Sequence, residues 1–456
     1  MADPGPTNPN ARTADRIETT ATPASRPTIA GRYRVRVETL EPTGEARGTV
    51  LAALAVPSAE ELAQVYGARP IEPVERVSFI GGLPGEVVEV ELRWSLPRPG
   101  RKPSRRVPPP LVRVVAVIEA APERATPGCP VFGECGGCQL QQLAYEAQLA
   151  WKAERVRAAL SRAGLSEPPV APTIGCAPPW GYRNQMRFSI NRAGQPGLTA
   201  RGSRRILPLT NCPIAHPRIN DALALLAEEP QPPPQVVLRY GAGTGDLLMQ
   251  PPPTEATRAR LAAAGLDPYT DSFEEVMGGA RFRIRPSSFF QTNTAQANQM
   301  AALVLERLPS GPDVTLVDAY CGVGTFARLL AARAGHVIAI EESASAIRDA
   351  QWNLREMPNV EIVQAKVEEI LPQMARRLDG LVIDPPRAGC QRPVLDALAE
   401  RRVPRVVYVS CDPDTLARDL TYLCVERGVY RLASVQPLDM FPQTAHIENI
   451  ATLEAC

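Results

Sequence analysis

The sequence has 456 residues, of which 44% are hydrophobic and 22% are charged, so it can bury a sizeable core and is not disordered throughout. A chain of this length predicts about three domains. The 50 basic and 49 acidic residues leave a net charge of +1, which excludes binding to polyanions by bulk charge alone. No apolar run is long enough to predict a membrane-spanning helix. Residues 1–28, rich in Pro, Thr and Ala, predict a disordered leader without the apolar core of a secretory signal, which favours a cytoplasmic location.

A small β-barrel is predicted over residues 29–121. Short runs in this stretch alternate apolar and polar residues, as half-buried strands do, and Gly81-Gly82 and Pro84-Gly85 mark turns between them. Several short strands joined by tight turns are typical of a small barrel, and the OB-fold is the nucleic-acid-binding candidate. The basic stretch Arg101–Arg106 is interpreted either as a solvated loop or as a contact for phosphate groups.

Two further domains are predicted behind the barrel. Residues 122–285 combine a cysteine-bearing segment, a helix over Gln139–Ala163 and strands with Pro-rich connections, which predicts an α+β domain. Residues 286–456 are more regular, with a helix over Thr294–Leu308 and strands that alternate with helices. These strands are predicted at Val314–Asp318, Val337–Glu341, Gly380–Asp384 and Arg405–Val409. The alternation predicts a doubly wound, Rossmann-like parallel sheet with ligands at the carboxyl ends of its strands. The predicted fold class is therefore a multidomain protein with β, α+β and α/β parts.

Three cysteines of the predicted middle domain have the spacing of metal ligands. Cys129, Cys135 and Cys138 form the pattern C-x5-C-x2-C, and Cys212, which precedes a proline, is the best candidate for a fourth ligand. Four thiolates fit either a tetrahedral zinc ion or a 4Fe–4S cluster. Paired CxxC motifs would favour zinc, whereas one CxxC joined by two more distant cysteines favours the iron–sulfur cluster. The alternative is that these cysteines have no function and are buried, unligated thiols that cluster by chance.

A glycine-rich turn in the C-terminal domain has the position of a nucleotide-binding loop. The run Asp318–Phe326 follows a predicted strand and opens a helix, and Gly322 and Gly324 allow the backbone to approach a bound nucleoside. Glu341 ends the next strand, where its carboxylate can accept hydrogen bonds from ribose hydroxyls. The third glycine of a dinucleotide-binding motif and the GK[ST] of a P-loop are both missing, which favours S-adenosylmethionine over NAD or ATP.

More polar residues are predicted at the same edge of this sheet. Asp384 ends the predicted strand that begins at Gly380, and the prolines after it direct its carboxylate into the cleft. Cys411 follows the fourth strand, in front of a helix predicted over Asp414–Leu423 whose N-terminus would favour a thiolate. His446 and Glu448 share one face if their segment is extended. Glu448 precedes an apolar strand, which indicates a partly buried carboxylate with a shifted pKa.

A cysteine and a carboxylate beside one methyl donor fit the carbon methylation of a pyrimidine. Carbon 5 of uracil is a poor nucleophile, but addition of a thiolate to carbon 6 makes it enolate-like and able to attack a sulfonium methyl group. A base must then remove the proton from carbon 5, so that the cysteine can leave. Methyl transfer to nitrogen or oxygen needs no such covalent step. Cys411 is therefore the candidate nucleophile and Glu448 the candidate base.

Seven blocks of the sequence resemble the RNA uracil-5-methyltransferases, the family that makes 5-methyluridine in tRNA and ribosomal RNA. In chain order the blocks are CPVFGECGGCQLQQL from Cys129, GYRNQMRFS from Gly181, SFFQTN from Ser288, DAYCGVGTF from Asp318, DPPRAG from Asp384, SCDPDTLARDL from Ser410 and TAHIENI from Thr444. The likeness extends from about residue 32 to the C-terminus. Within it, the N-terminal barrel resembles the TRAM domain, an RNA-binding module of the OB type, with an insertion around Val56–Pro73.

The resemblance implies roles for individual residues. Cys411 would be the nucleophile, and Glu448 would take the proton. Ligands of a structural or RNA-orienting 4Fe–4S cluster would be Cys129, Cys135, Cys138 and Cys212. Contacts to S-adenosylmethionine would come from Gln291, Tyr320, Glu341 and Asp384. Lys366 replaces the more usual acidic residue after the third strand of the methyltransferase domain, and the residues that match motif positions without an assigned role are Asn353, Arg387 and His446.

The predicted function is S-adenosylmethionine-dependent formation of 5-methyluridine in RNA, by a monomer without a membrane or protein partner. Ribosomal RNA, 23S RNA first, is favoured over tRNA because the barrel and the cluster are associated with the ribosomal branch of the family. Two other interpretations stay open. One is an RNA-binding cluster protein with an inert methyltransferase fold, against which the intact Cys411 and Glu448 argue. The other is a cytosine-5-methyltransferase, whose usual Pro-Cys motif is absent at Cys411.

Overall fold

The computed structural model describes residues 28–66, 73–95, 110–229 and 232–456. The predicted leader up to residue 27 and the basic stretch Arg101–Arg106 lie outside the described residues. The described part of the chain forms four β-sheets with helices between and around them. None of the helices in this part is both long and apolar enough to span a lipid bilayer.

The first sheet is antiparallel and curls until its two edges meet. Its strands are β1 (Thr28–Leu40), β2 (Ala46–Ala55), β3 (Arg76–Phe79), β4 (Val87–Ser95) and β5 (Leu111–Glu119). They lie in the order β3-β2-β1-β4-β5, and a bridge from Ile80, just past β3, to Arg113 on β5 joins the edges. Alternate side chains of β1, such as Val35 and Val37, fill the interior. Helix α1 (Ala59–Tyr66) occupies the predicted insertion. This closure agrees with a small barrel, and its assignment as a TRAM domain stays a prediction.

The middle of the chain forms a six-stranded sheet and a separate hairpin. The sheet has the order β11-β10-β9-β6-β7-β8, and its strands are β6 (Gln185–Ile190), β7 (Pro196–Thr199), β8 (Ile206–Pro208), β9 (Gln235–Tyr240), β10 (Leu247–Gln250) and β11 (Pro268–Tyr269). The hairpin pairs β12 (Phe273–Met277) with β13 (Ala280–Ile284). The helices are α2 (Tyr145–Arg162), α3 (Pro217–Leu226) and α4 (Glu255–Ala263). Helix α2 begins at Tyr145 rather than at the predicted Gln139.

The C-terminal part contains a sheet of seven strands with helices on both faces. The strands are β14 (Gly311–Ala319), β15 (Ala334–Glu341), β16 (Val360–Gln364), β17 (Gly380–Ile383), β18 (Arg405–Ser410), β19 (Tyr430–Leu438) and β20 (Glu448–Ala455). The helices are α5 (Thr294–Arg307), α6 (Thr325–Ala331), α7 (Ala344–Asn353), α8 (Val367–Ile370), α9 (Arg392–Arg401) and α10 (Pro413–Thr421), with a 3-10 turn at Leu371–Gln373 and a π-helical turn at Tyr422–Glu426.

The sequence predicted a parallel sheet, whereas the seven-stranded sheet is mixed. Its order is β16-β15-β14-β17-β18-β20-β19, and the first five strands run parallel. Strand β20 runs antiparallel to both β18 and β19. Neighbouring residues such as Leu316 and Val317 point to separate apolar clusters on the two faces. Because both faces are buried, the central strands read as continuous apolar runs, and their carboxyl ends meet at one edge of the sheet.

Candidate active site and cysteine-lined cavity

The glycine-rich turn between β14 and α6 has a backbone that favours glycine. Gly322 and Gly324 have φ angles of 55° and 84°, in the left-handed region. A Cβ on Gly324 would lie 2.9 Å from Cδ1 of Leu354, at the end of α7, whereas one on Gly322 would meet nothing within 4 Å. Gly324 therefore lets the turn pack closely against α7, while Gly322 leaves open space beside the turn.

Two carboxylates hold this turn in place. Glu341, the last residue of β15, accepts hydrogen bonds from the N–H groups of Gly322 at 3.1 Å and Ser343 at 2.7 Å. Asp318, fully buried on β14, accepts one from the N–H of Ala327 at 2.7 Å, and its other oxygen has no partner among the described residues. Burial raises the pKa of Asp318 to about 8. Asp318 had no predicted role, although an acid near the end of a buried apolar strand is a signal for one.

Most of the other predicted cofactor contacts lie at the same edge of the sheet. Tyr320 directly follows β14, and Asp384 directly follows the adjacent β17, where its N–H donates to the carbonyl of Ala319 at 3.4 Å. Burial raises the pKa of Asp384 to about 7. Gln291 lies before α5, and its carbonyl accepts a hydrogen bond from Nδ2 of Asn184 at 3.2 Å. Within the described residues, no hydrogen bond joins the Gln291 side chain to the glycine-rich turn.

Cys411 and Glu448 are brought together by two strands that are distant in sequence. Cys411 follows the last residue of β18, and Glu448 is the first residue of β20. The antiparallel register pairs Ser410 with Asn449, which sets Cys411 opposite Glu448 at the next position of the two chains. Cys411 is half-buried and the Glu448 residue is 5% exposed. The structure therefore places the predicted nucleophile beside the predicted base.

The acidic groups of this site oppose each other's ionisation. Burial first, and then the carboxylates of Glu448 and Asp384, raise the pKa of the Cys411 thiol to about 12. Burial and the charge of Asp384 also raise the pKa of Glu448 well above its usual value. Arg387 acts on the thiol in the opposite direction, and its guanidinium lies 3.7 Å from the carboxylate of Asp412. A site crowded with buried acids favours a bound cation, which would relieve this repulsion.

The helix after Cys411 forms as predicted, but it does not favour a thiolate. The Asp412 side chain caps α10 and accepts hydrogen bonds from the N–H groups of Asp414 at 3.1 Å and Thr415 at 3.2 Å. The N–H groups that would stabilise an anion are thus taken by a carboxylate. Burial and the neighbouring acids outweigh the helix, so the predicted lowering of the Cys411 pKa is wrong for this environment.

The four predicted metal-binding cysteines line one cavity of about 220 Å³. Cys129, Cys135 and Cys138 come from the segment before α2, and Cys212 comes from the loop between β8 and α3. Burial, followed by the neighbouring thiols, raises the pKa of Cys138 to about 12 and that of Cys212 to about 11. In the parts of the chain that the structure describes, no three His, Cys, Asp or Glu side chains are arranged to hold a metal ion. The cavity therefore gathers four soft sulfur donors without the geometry of a single-ion site.

Known proteins match the chain over most of its length. A family model described as tRNA (Uracil-5-)-methyltransferase matches residues 275–455. A protein of Thermosynechococcus vestitus, named an uncharacterised RNA methyltransferase, is 37% identical over an alignment of length 391, and the match covers 75% of this chain and 87% of that protein. A second, of Gloeobacter violaceus, is 36% identical over an alignment of length 432, and the match covers 83% of this chain and 92% of that protein. The chain belongs to the RNA uracil-5-methyltransferase family. It is an S-adenosylmethionine-dependent RNA methyltransferase.

The methyltransferase also shares its fold with a solved structure. The crystal structure of the tRNA (uracil-54, C5)-methyltransferase of Pyrococcus abyssi in complex with S-adenosyl-L-homocysteine matches with a TM-score of 0.63 and 22% identity. The match covers 92% of this chain and 99% of that one. At this identity the likeness shows a common fold, a mixed α/β architecture with several sheets.

The residues that had no role in the sequence-based interpretation include Arg387, His446 and Lys366. Arg387 lies beside the Cys411 site, as described above. His446 stands edge-on to Phe441 with ring centres 5.9 Å apart, and burial, followed by the charge of Arg387, lowers the pKa of His446. Lys366 is the N-cap residue of α8, after β16, and its side chain makes no capping hydrogen bond. The effect of Arg387 on the pKa of His446 indicates that His446 lies close to the candidate active site.

Proposed function

We propose that this methyltransferase makes 5-methyluridine in RNA through a transient covalent bond between Cys411 and the target base. The observation that carries the proposal is the register of β18 and β20, which sets the Cys411 thiol beside the Glu448 carboxylate. A nucleophile and a base on neighbouring strands can act on the adjacent carbons 6 and 5 of one uracil that has left its base stack. Methyl transfer to nitrogen or oxygen would leave Cys411 without a purpose.

The proposed reaction forms and breaks one bond to the enzyme. The Cys411 thiolate adds to carbon 6 of uracil, which makes carbon 5 enolate-like. When bound, S-adenosylmethionine supplies the methyl group that carbon 5 takes up. Glu448 then removes the proton from carbon 5, and the bond between Cys411 and carbon 6 breaks. The ring regains its double bond and the thiolate is released.

The proton of the Cys411 thiol needs an acceptor before the addition, and Asp384 suits this step. Its carboxylate lies close enough to raise the pKa of the thiol, and burial raises the pKa of Asp384 itself, which makes this carboxylate a stronger base than an exposed one. The charge of Asp384 is one cause of the raised pKa of Glu448. A proton on Asp384 therefore favours the ionised form of Glu448, which leaves Glu448 ready to act as the base.

S-adenosylmethionine would bind at the edge of the sheet where β14, β15 and β17 end, as ligands of such sheets do. Gly322 leaves open space there, and Asp318 behind the turn keeps one oxygen without a partner among the described residues. The acids of this edge also suit the positive charge on the sulfur of the methyl donor. The proposed contacts are Gln291, Tyr320, Gly322, Gly324, Glu341 and Asp384.

The cysteine-lined cavity would hold a 4Fe–4S cluster with a structural role. Zinc with four bonds of ~2.3 Å to thiolates would draw the sulfurs to within about 4 Å of each other. Four thiols around one cavity of about 220 Å³ suit a larger group. The proposed ligands are Cys129, Cys135, Cys138 and Cys212. Such a group would cross-link the segment before α2 to the loop that carries Cys212.

Ribosomal RNA, 23S RNA first, is the proposed target. The closed sheet of β1–β5 supports a TRAM-type RNA-binding barrel over 29–121, followed by a cluster domain over 122–285 and the methyltransferase domain over 286–456. A tRNA target is the second candidate, because the matching family model is described as a tRNA enzyme. Both targets use the same site and the same proposed chemistry.

Two measurements test the proposed function. The purified chain, given methyl-labelled S-adenosylmethionine and unmodified RNA, should place the label on carbon 5 of uridine, whereas an RNA-binding protein with an inert fold would place none. Mass-spectrometric mapping of 5-methyluridine in cells with and without the gene should reveal one position lost from 23S RNA. Loss from tRNA alone would assign the second target, and label on cytosine would refute the uracil chemistry.

A further inference from the structure

The loop between β19 and β20, which leads into Glu448, is held in place mainly by hydrogen bonds from other parts of the chain. It covers residues 439–447 and includes Phe441 and His446. Backbone or side-chain N–H and O–H groups from elsewhere in the chain donate to the carbonyls of five of its residues, Met440, Phe441, Pro442, Gln443 and Ala445. A loop without a regular hydrogen-bond ladder takes its shape from such partners. The path of the chain into the catalytic carboxylate therefore depends on the middle of the chain.

Gln139, the residue after the last cysteine of the C-x5-C-x2-C motif, joins this motif to the loop. The N–H groups of Gln139 and Leu140 both donate to the carbonyl of Gln443 at 3.0 Å. The Gln139 side chain accepts a hydrogen bond from the N–H of Ala445 at 3.2 Å and donates one to the carbonyl of Gly136 at 3.1 Å. One side chain thus connects the interior of the cysteine motif to the approach to Glu448.

Gln443 is held in a conformation that a non-glycine residue rarely adopts. Its φ angle is 68°, and the residue is 3% exposed. Gln148 on α2 donates from Nε2 to Oε1 of Gln443 at 3.1 Å and accepts from the N–H of Gln443 at 3.2 Å. Left-handed backbone at such a residue persists where the surroundings over-determine it, which happens most often at functional sites.

A buried ion pair anchors the start of the loop to the same helix. Lys152 on α2 and Asp439 have no exposed side-chain surface, and Nζ lies 2.5 Å from Oδ1. Tyr145 donates to Asp439 at 2.9 Å, and Lys152 also donates to the carbonyl of Phe441 at 3.2 Å. Removal of one partner of such a pair would leave the other charge buried and unsatisfied, so the pair fixes the position of the loop.

The N-terminal sheet packs against the same junction. Gly44, in the turn between β1 and β2, comes so close that a Cβ there would lie 2.6 Å from Cβ of Gln139 and 3.3 Å from Cβ of Ala445. Three parts of the chain thus meet at Gln139: the turn of the first sheet, the cysteine motif and the loop before Glu448. A shift of the cysteine motif cannot leave this loop unaffected.

We propose that Gln139 and Gln443 are positioning residues that couple the cysteine-lined site to the placement of Glu448 and His446. Ligation of the three motif cysteines would fix the backbone of the motif, and with it the N–H groups of Gln139 and Leu140 that hold Gln443. Loss of the ligand would free these groups and loosen the loop. The catalytic consequence rests on the proposed function, whereas the coupling of the loop to the cysteine motif does not.

Hydrogen–deuterium exchange of the full chain, with its cysteine site loaded, tests the coupling directly. Gln139→Ala keeps every cysteine, and we expect exchange in peptides over residues 439–450 to rise about tenfold while exchange in α10 is unchanged. Removal of the cysteine-bound group from the unaltered chain with a chelator should raise exchange in the same peptides. The matched control is Gln250→Ala, because Gln250 on β10 also donates to a backbone carbonyl, that of Thr270, away from the junction. Unchanged exchange over 439–450 in both experiments would overturn the proposal.

Two substitutions at position 443 distinguish the contribution of the left-handed backbone from that of the side-chain amide. Gln443→Gly loses the amide pair with Gln148 but removes the Cβ that strains the left-handed backbone, whereas Gln443→Ala loses the amide pair and keeps that strain. We therefore expect loop exchange to rise more for Gln443→Ala than for Gln443→Gly. Equal exchange in the two variants would contradict the role of the left-handed conformation.

A kinetic measurement distinguishes positioning from a general loss of structure. For Gln139→Ala, kcat should fall about 10- to 100-fold while KM for S-adenosylmethionine stays within about twofold. A covalent protein–RNA adduct should accumulate, because a displaced Glu448 slows the release of Cys411. A parallel loss of kcat, cofactor affinity and folded fraction would indicate a merely structural role. If the unaltered chain methylates no RNA, the proposed function fails, while the exchange measurement still decides the coupling.

Discussion

Asn449 donates a hydrogen bond from Nδ2 to the carbonyl of Ser410 at 3.1 Å, and both residues are buried. This bond fastens the two strand ends that carry Cys411 and Glu448. The separation of thiol and carboxylate is therefore set by a β-ladder, which is more rigid than a pair of loops. The same rigidity makes substitutions at Cys411 and Glu448 informative, because the backbone around them should stay in place.

Cys411→Ala should abolish methylation, with a rate loss of about four orders of magnitude or more, because no thiolate remains to activate carbon 5. Binding of S-adenosylmethionine should be retained, since the glycine-rich turn lies on other strands. The measurement is transfer of a labelled methyl group in single-turnover assays, with Cys424→Ala as the control at a half-buried cysteine outside the site. Methylation at the normal rate by Cys411→Ala would show that the covalent mechanism is wrong.

Glu448→Gln should trap the RNA on the enzyme. Addition of Cys411 and methyl transfer do not need the base, whereas elimination does, and the loss of a general base costs about 10²- to 10⁴-fold in rate. A denaturing gel should show a protein–RNA adduct that carries the methyl label and disappears in Cys411→Ala/Glu448→Gln. RNA that dissociates freely and unmethylated from Glu448→Gln would count against this role.

The rate of methylation should depend on the ionisation of the pair Asp384 and Glu448. Burial raises the pKa of Asp384 to about 7, and the proposed mechanism needs an ionised carboxylate in this pair, so the single-turnover rate should rise as the pH rises through about 7. Asp384→Asn removes the proposed acceptor of the Cys411 proton, so the rate should fall. It also removes the charge that helps to raise the pKa of Glu448, so the acidic limb of the profile should move to lower pH. Saturating S-adenosylmethionine controls for weaker cofactor binding. An acidic limb at the same pH in both proteins would refute the coupling.

The parts of the fold that the sequence predicted correctly carry local signals. Strands β14, β15, β17 and β18 are buried on both faces, so each appears as an apolar run whatever its partner. Helix α5 has a helical apolar periodicity, and the predicted range Thr294–Leu308 differs from Thr294–Arg307 by one residue. The glycine-rich turn is equally local, because the φ angles of Gly322 and Gly324 require particular residue types. Such features depend on neighbours in sequence.

The features that the sequence did not predict depend on distant contacts. Helix α2 begins at Tyr145 because the backbone of Gln139 and Leu140 binds Gln443 instead of continuing a helix. The pair of Lys152 and Asp439 joins residues 287 positions apart, and neither residue has a pattern around it that indicates a buried partner. The antiparallel position of β20 likewise depends on pairing with β18 rather than on its own composition. Sequence therefore identified Cys411 and Glu448 by chemistry, but not the scaffold that positions them.

The two glycines of the turn, Gly322 and Gly324, should respond differently to substitution by alanine, one mainly in cofactor affinity and the other mainly in stability. Both substitutions place a Cβ on left-handed backbone, at a cost of about 1–2 kcal/mol. The Cβ at position 324 would also press on Leu354, so Gly324→Ala should lower the free energy of unfolding further, by about 1–3 kcal/mol in all. At position 322 the Cβ would enter open space where the cofactor is proposed to bind, so affinity for S-adenosylmethionine should fall more than stability. Urea unfolding measures the loss of stability, and calorimetric titration measures the loss of affinity for S-adenosylmethionine. If the ratio of these two losses were the same in both variants, this division would be contradicted.

The protein purified without oxygen should be brown and contain about four iron and four sulfide per chain, since four thiols around one cavity suit a 4Fe–4S cluster. Cys138→Ser should remove most of the iron, because the Cys138 thiol lies close enough to interact with all three other cysteines of the group and its loss would leave the cluster with three ligands. Cys424→Ser, outside the cavity, should keep the metal. Metal analysis and the visible absorption spectrum provide the measurement. Zinc without iron would replace the cluster by a single ion and would require the four cysteines to close to within about 4 Å of each other, as zinc–thiolate bonds of ~2.3 Å demand.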